Sequence, residues 1–292
     1  MTEALLDRAR ALPIWQGRVT FTPLDGGITN VNHLASDGHR RAVVRLGSDI
    51  PVHQVMRFNE LAASRAAHAA GISPAVLHAE PGLRVIDFID GRTLAADDVA
   101  QDVMLERVLD LVARAHRDMP AHLRGATLAF WVYHVIRDYG ARLVAEGSPR
   151  AGLVPDLLGA ATQLEAATGP VDMVFGHNDL LPANLIDDGA RLWLIDWDYA
   201  GWGSALFDLG GLAANNGLSE AQERHMLEVY FGTAPDGGRL RAYRAMKCAA
   251  ALRETLWSMV SETHSTLDFD FAVYTETNLA TFRAAMADFL QS

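Results

Sequence analysis

Residues 176–186 read GHNDLLPANLI, and they set an imidazole, a carboxylate and a carboxamide into a run that is otherwise apolar. VDMVF precedes the stretch and RLWLIDW follows it, both of them β-prone. A loop joining two buried strands is either short or functional, because buried polar groups cost free energy unless they are paired. His177, Asp179 and Asn184 therefore need partners. Asp179 and Asn184 stand five residues apart in one loop, and Asp196 comes twelve residues after Asn184, at the end of a strand that follows an IDDGA turn. A strand, loop, strand arrangement brings the three side chains to one edge of a cleft. Two carboxylates and a carboxamide form a hard oxygen site of the kind Mg2+ accepts while it also holds phosphate oxygens, leaving one carboxylate free to act on a nucleophile. That chemistry is phosphoryl transfer. Taken singly, His177 or Asp179 fits equally well as a group that ties down its own loop.

Upstream, VTFTPL, VNHLAS and RAVVRLG are short β-prone runs divided by DGGITN and SDGHR, which are turn material and predict a three-strand meander. HQVMRFNELAASRAAHAAG carries apolar residues at helical spacing and stops at Gly71, after which PAVLHAE and LRVIDFI read as two more strands around the turn at Pro81 and Gly82. From Leu94 onward the pattern is helical, with amphipathic segments near Asp98 to Arg117, Leu128 to Glu146, Ser219 to Phe231, Leu240 to Glu262 and Phe271 to Leu290. Only VDMVFG and RLWLIDW interrupt it as strands. The expected fold class is α+β, with a strand-rich lobe carrying one helix over residues 1–91 and a mostly helical lobe over residues 92–292.

The chain has 292 residues, of which 50% are hydrophobic and 21% charged, enough to bury a core in one large domain or two lobes. No apolar run approaches the ~20 residues of a membrane-spanning helix, and MTEALLDRARALPIW lacks the basic-then-apolar order of a signal peptide. The expectation is a cytoplasmic protein with no membrane partner. A net charge of -11 argues against nonspecific nucleic-acid binding and is compatible with a cationic small substrate. The single cysteine, Cys248, excludes an internal disulfide and a multi-cysteine zinc site, and reads as a packing residue on a helix.

HNDLLPAN resembles the catalytic-loop pattern His-x-Asp-x-x-x-x-Asn of the aminoglycoside phosphotransferase and choline kinase superfamily, and LIDWDYAG resembles its metal-binding segment. SALFDLGGLAANNGLSEAQERHMLEVYFG is similar to bacterial choline/ethanolamine kinases in particular. The resemblance runs from the glycine turn at Gly26 to the last helices, and it implies a bilobal, protein-kinase-like fold that uses ATP and Mg2+. It implies that Asp179 accepts a proton from the substrate hydroxyl, that Asn184 and Asp196 hold Mg2+ against the ATP phosphates, and that Asp198 assists metal or loop geometry. His177, grouped with the catalytic residues, is implied to brace the loop, and Asp208 to support it from behind. In the first lobe, Gly26, Gly27, Thr29 and Asn30 would cover the phosphates, although a glycine pair between strands also makes an ordinary hairpin. Arg45 would grip the α- and β-phosphates, Glu60 would pair with it, and Phe88 and Ile89 would offer backbone groups to adenine.

The acceptor is implied to lie in the helical lobe, where Trp257 and Tyr274 would surround an ammonium by cation–π attraction. Read without the family, bulky residues at that helical spacing favour the core reading. Choline kinases often carry a second tryptophan three positions before Trp257, and here Glu254 stands there. A carboxylate can accept an N–H from a primary or partly methylated ammonium, whereas choline has none to offer. The expected function is therefore an ATP- and Mg2+-dependent kinase for choline, ethanolamine or a methylated ethanolamine. The alternatives are a kinase for another hydroxyl (an aminoglycoside, homoserine or a sugar) and a nucleotide-binding pseudokinase. A peptide substrate is disfavoured, because after Asp196 the chain runs directly into DYAGWGSALFDL with no long activation segment.

Overall fold

Along RAVVRL, Ala42, Val44 and Leu46 fall on one face at the period of a strand, and all three are buried. The computed structural model, which describes residues 2–24, 30–265 and 269–291, places this run at the centre of a five-stranded antiparallel sheet. Helix α1 (Thr2–Arg10) precedes it, followed by β1 (Thr20–Leu24), β2 (Val31–Ser36), β3 (Arg41–Leu46), α2 (Arg57–Ala69), β4 (Val76–Glu80) and β5 (Leu83–Asp87), in the spatial order β1-β2-β3-β5-β4. The meander and the later strand pair form where their patterning predicts. Helix α1 corrects the expectation of a single helix in this lobe: Leu6 and Ala9 cover the face of Ala42, Val44 and Val85.

The remainder is mostly helical. It runs through β6 (Arg92–Thr93), α3 (Ala96–Val99), α4 (Asp102–Asp118), α5 (Val132–Ala145), α6 (Val154–Thr168), β7 (Met173–Gly176), β8 (Leu185–Asp187), β9 (Leu192–Leu194), β10 (Gly201–Ser204), α7 (Ala205–Asn215), α8 (Glu220–Phe231), α9 (Gly237–His264) and α10 (Phe271–Gln291). The segment expected to be helical from Asp98 breaks between α3 and α4, and the one expected from Leu128 starts only at Val132. The latter shift has a cause: Phe130 N–H donates to Trp202 O at 2.8 Å and Trp202 N–H donates to Leu128 O at 2.9 Å, which holds residues 128–130 extended. Helix α9 is the axis of this lobe and packs against α5, α6, α7 and α10. Cys248 is buried on it in that core, as the packing reading expects. Among the described residues, no helix is long and apolar enough to cross a membrane.

The short strands β7 with β10, and β8 between β6 and β9, frame the stretch that opened the sequence reading. Residues 177–184 thus leave a two-stranded ribbon and enter a three-stranded sheet. The third residue, Asp196, was expected to end a strand; instead β9 stops at Leu194, and Asp196 lies beyond it in the left-handed region at φ 68. A non-glycine residue held there is strained, which such positions tolerate where the surroundings fix the side chain.

Candidate active site

The loop is clamped from below. Asp208, buried in the first turn of α7, accepts hydrogen bonds from the backbone N–H of His177 at 2.7 Å and of Asn178 at 2.6 Å, and its Oδ2 lies 2.8 Å from His116 Nε2. Burial pushes the Asp208 carboxyl up, but the His116 hydrogen bond and the neighbouring imidazoles outweigh it and hold it below the usual carboxylate range. Gly176 is required here, since a Cβ would lie 2.9 Å from Asp208 Oδ2. Asn178 sits at φ 63, and its Nδ2 donates to Tyr199 O at 3.0 Å. His177 is buried, with Nε2 2.9 Å from Ile195 O and its ring edge-on to Trp197. It lines neither of the clefts described below, and its contacts are those expected of a loop brace. Asp208→Asn should leave one of these donors facing an N–H, at about 3 kcal/mol, the scale of breaking a buried ion pair. A urea midpoint unchanged from wild type would contradict the clamp.

Two clefts meet at this loop. One, of about 400 Å3, is bounded by Asn30, Arg45, Glu60, Phe88 and Ile89 together with apolar Leu24, Val43 and Ile86. The other, of about 300 Å3, is bounded by Asp179, Asp198, Tyr199, Glu254, Trp257 and Tyr274. Ala183, Asn184 and Asp196 line both. The described residues expected to hold nucleotide and those expected to hold the acceptor therefore fall in separate clefts; of the metal-ligand candidates, Asn184 and Asp196 stand on the border and Asp198 lines only the second. Gly26, Gly27 and Thr29 lie outside the described residues.

Arg45 and Glu60 meet at 2.8 Å, and Arg45 reaches on to Asp196 at 2.9 Å and Asp198 at 3.2 Å. Sequence reasoning missed the cations around them. Arg57 contacts Glu60 at 2.6 Å and Asp198 at 2.9 Å, and Arg84 also pairs with Glu60. Burial raises the Glu60 pKa, and the three guanidiniums reverse this, bringing it down to about 2. Asp198 goes the other way: burial and the carboxylates of Asp196 and Glu60 outweigh Arg45 and Arg57 and push it up to about 8. Its Oδ2 also accepts from Asn30 Nδ2 at 3.0 Å. Ligand oxygens of Glu60, Asp196 and Asp198 lie within 4.8 Å of one another. Such a hard oxygen cluster suits a divalent cation, and Asp196, whose side chain is 26% exposed and held only by Arg45 among these cations, is the carboxylate best able to receive one.

In the second cleft, Asp179 makes no ion pair within 4.0 Å among the described residues. Burial pushes its pKa up to about 7, with Arg253 pulling against that shift. Asn184 Nδ2 donates to Asp179 O at 2.9 Å, which fixes the loop turn between them. Glu254 lines the cleft while its carboxylate is shared by Arg253 Nη1 at 2.9 Å and Tyr274 OH at 2.8 Å. Trp257 donates through Nε1 to Tyr199 OH at 2.9 Å and stands edge-on to Tyr274. Arg253 lies over the Tyr199 ring at 4.3 Å. No sequence pattern announces Tyr199, since it meets Trp257 and Arg253 across the tertiary fold.

Residues 20–246 match the phosphotransferase enzyme family. The chain belongs to this family. It is a phosphotransferase with an alcohol group as acceptor. The phosphotransferase is 25% identical to protein LicA of Haemophilus influenzae over 269 residues, covering 88% of this chain and 78% of the relative. It is also 25% identical to ethanolamine kinase 2 of Mus musculus over 279 residues, covering 85% and 71% respectively. Among solved structures, a choline/ethanolamine kinase family protein from Mesorhizobium loti superposes with a TM-score of 0.77 at 25% identity, over 97% of this chain and 95% of that one. Choline kinase LicA from Streptococcus pneumoniae gives a TM-score of 0.80 at 21% identity, over 98% and 99%, a likeness of fold. The phosphotransferase thus has the protein-kinase-like architecture expected from its loop motif.

Proposed function

We propose that this phosphotransferase moves the γ-phosphoryl group of ATP, with Mg2+, to the hydroxyl of a small amino alcohol, and that ethanolamine or a partly methylated ethanolamine is preferred to choline. The observation that carries this is the shared border: Asn184 and Asp196 line both clefts, so a phosphoryl group held there faces a nucleotide on one side and an acceptor on the other. Bound Mg2+ would offset charge on the transferring phosphate. Asn184 and Asp196 are the residues that would hold it, with Asp198 kept behind them by Arg45 and Arg57. Arg45 itself is placed to bind phosphate oxygens, its orientation fixed by Glu60. Asp179 orients the acceptor hydroxyl and takes its proton.

The acceptor cleft is chemically suited to a cation. Asp179 and Glu254 face it with Arg253 as the one guanidinium among the described lining residues, Asp196 and Asp198 line it while paired with Arg45 and Arg57, and Trp257, Tyr199 and Tyr274 supply aromatic walls. Each carboxylate oxygen can accept more than one hydrogen bond, so Glu254 can receive a substrate N–H while it keeps Arg253 and Tyr274. The relatives include proteins named ethanolamine kinase and LicA, a solved form of which is named choline kinase, so they support an amino alcohol as the acceptor class and the preference rests on Glu254. The test is ADP release with ethanolamine, its methylated derivatives, choline, sugars and an aminoglycoside. Glu254→Trp should move the ratio of specificity constants toward choline by about 10-fold, the value of one charge-assisted hydrogen bond withdrawn from the N–H donor substrate. An unchanged ratio in a folded variant would leave Glu254 only the Arg253 and Tyr274 contacts as its role.

A further inference from the structure

The connector between β3, which carries Arg45, and α2, which carries Glu60, does not stay in the sheet lobe. Val55 is completely buried in the main core of the helical lobe, Ile50 and Val52 pack on the same core, and Gln54 Nε2 donates to Asp138 at 3.2 Å. At its centre a single 3-10 turn, Pro51–His53, delivers an imidazole between α5 and α9. His53 Nδ1 lies 3.2 Å from Tyr139 OH and Nε2 lies 3.2 Å from Ser261 Oγ. Its ring stacks on Trp257, with centroids 5.0 Å apart and planes inclined by 30°. Burial, with Arg253, His264 and Arg142 near, brings its pKa down to about 3, so the imidazole is neutral, one nitrogen donating and the other accepting. His53 is not among the described residues lining the acceptor cleft, whereas Trp257 is. It therefore stands behind Trp257, on ground that the sheet lobe supplies.

We propose that His53 is a positioning residue for the acceptor site: the sheet lobe reaches into the helical lobe and, through a ring held at both nitrogens, sets the face that Trp257 presents to the acceptor. The inference rests on the reading of the Trp257 cleft as the acceptor site. Among the described residues, four contacts hold Trp257, namely the His53 stack, the Nε1 bond to Tyr199 OH, the tilted contact with Phe271 at 6.0 Å and the edge-on contact with Tyr274 at 6.5 Å. Only the first comes from the lobe that carries Arg45. Removing it frees Trp257 to rock without touching the residues that line the nucleotide cleft.

The experiment is steady-state kinetics with ethanolamine and ATP on His53→Ala, His53→Phe and Trp257→Ala, alongside thermal melts. His53→Ala should raise the KM for ethanolamine roughly 10-fold, the equilibrium factor of one aromatic contact, with the KM for ATP within about 2-fold of wild type. His53→Phe keeps a ring against Trp257 and loses the two hydrogen bonds, so it should recover most of that loss. Should His53→Ala fail to fold, His53→Phe still carries the test, with an expected rise in ethanolamine KM of roughly 3-fold, the scale of a lost hydrogen bond. An unchanged ethanolamine KM in a folded His53 variant, or KM values for ATP and ethanolamine that rise together, would overturn the inference while Trp257→Ala remains impaired. An unchanged ethanolamine KM in Trp257→Ala would instead remove the reading of the cleft, and this inference with it.

Discussion

Asp179→Asn should lower kcat by at least about 100-fold while Mg-ATP affinity is kept, because it removes the proton acceptor and preserves the side-chain shape. Wild-type-like turnover in the folded variant would end the assignment. The same substitution carries a stability signature of opposite sign. Burial places the Asp179 pKa at about 7, well above the 3.8 of a solvated aspartate. The folded protein therefore binds more protons at this site than the unfolded chain between those values, and the group's contribution to stability falls as pH rises from about 4 to 7. Ionised Asp179 is a burden on the empty enzyme at pH 8, and an asparagine relieves it. Asp179→Asn should accordingly melt higher than wild type at pH 8, by the equivalent of about 2 kcal/mol after allowance for its partial exposure, and show little gain at pH 4. The acid limb of kcat/KM should bend near pH 7 in wild type and be lost from the residual activity of the variant. A variant that is less stable at pH 8 would mean that Asp179 is held by contacts rather than left poised.

Asp196→Ala should act on nucleotide binding as well as on chemistry. Loss of a metal ligand's supporting contact alone costs about 10- to 100-fold in affinity, so loss of a direct ligand should weaken Mg-ATP binding by at least about 100-fold. Calorimetric titration reads this without turnover. The substitution also deprives Arg45 of its 2.9 Å partner, but Glu60 and Asp198 still hold that guanidinium in place. Nucleotide binding without metal should therefore change much less than binding with it. Equal losses in the two titrations would make Asp196 a support for Arg45 rather than a ligand.

The parts of this molecule that were legible in its sequence are those whose chemistry is local. HNDLLPAN holds its polar residues within one loop, and RAVVRLG and NELAASRAAHAAG announce a strand and a helix by period, on which the family resemblance could place the Arg45–Glu60 pair. Helices α6 and α7 were not anticipated. LLGAATQLEAAT offers little polar contrast for a helical face to show, and ALFDLGGLAAN contains adjacent glycines that read as a turn. One of those glycines has a packing reason: a Cβ on Gly210 would lie 2.9 Å from the backbone of Lys247, so its absence lets α7 approach α9 closely. Strand extent was misjudged at Asp196 because alternation in RLWLIDW continues past the point where the backbone turns left-handed. Arg57, Arg84, Asn178 and Tyr199 escaped sequence reasoning for a shared reason. Each makes at least one contact through the packing of separate elements, and no spacing rule links residue 57 to 198 or 199 to 257.

The most direct measurement is phosphorus NMR of ATP incubated with the enzyme and ethanolamine, with and without Mg2+. The account predicts a phosphomonoester of the amino alcohol appearing in step with ADP, only when Mg2+ is present, and absent with Asp179→Asn. Free phosphate in place of the ester, or an ester formed with a sugar or aminoglycoside while every amino alcohol stays unmodified, would contradict it.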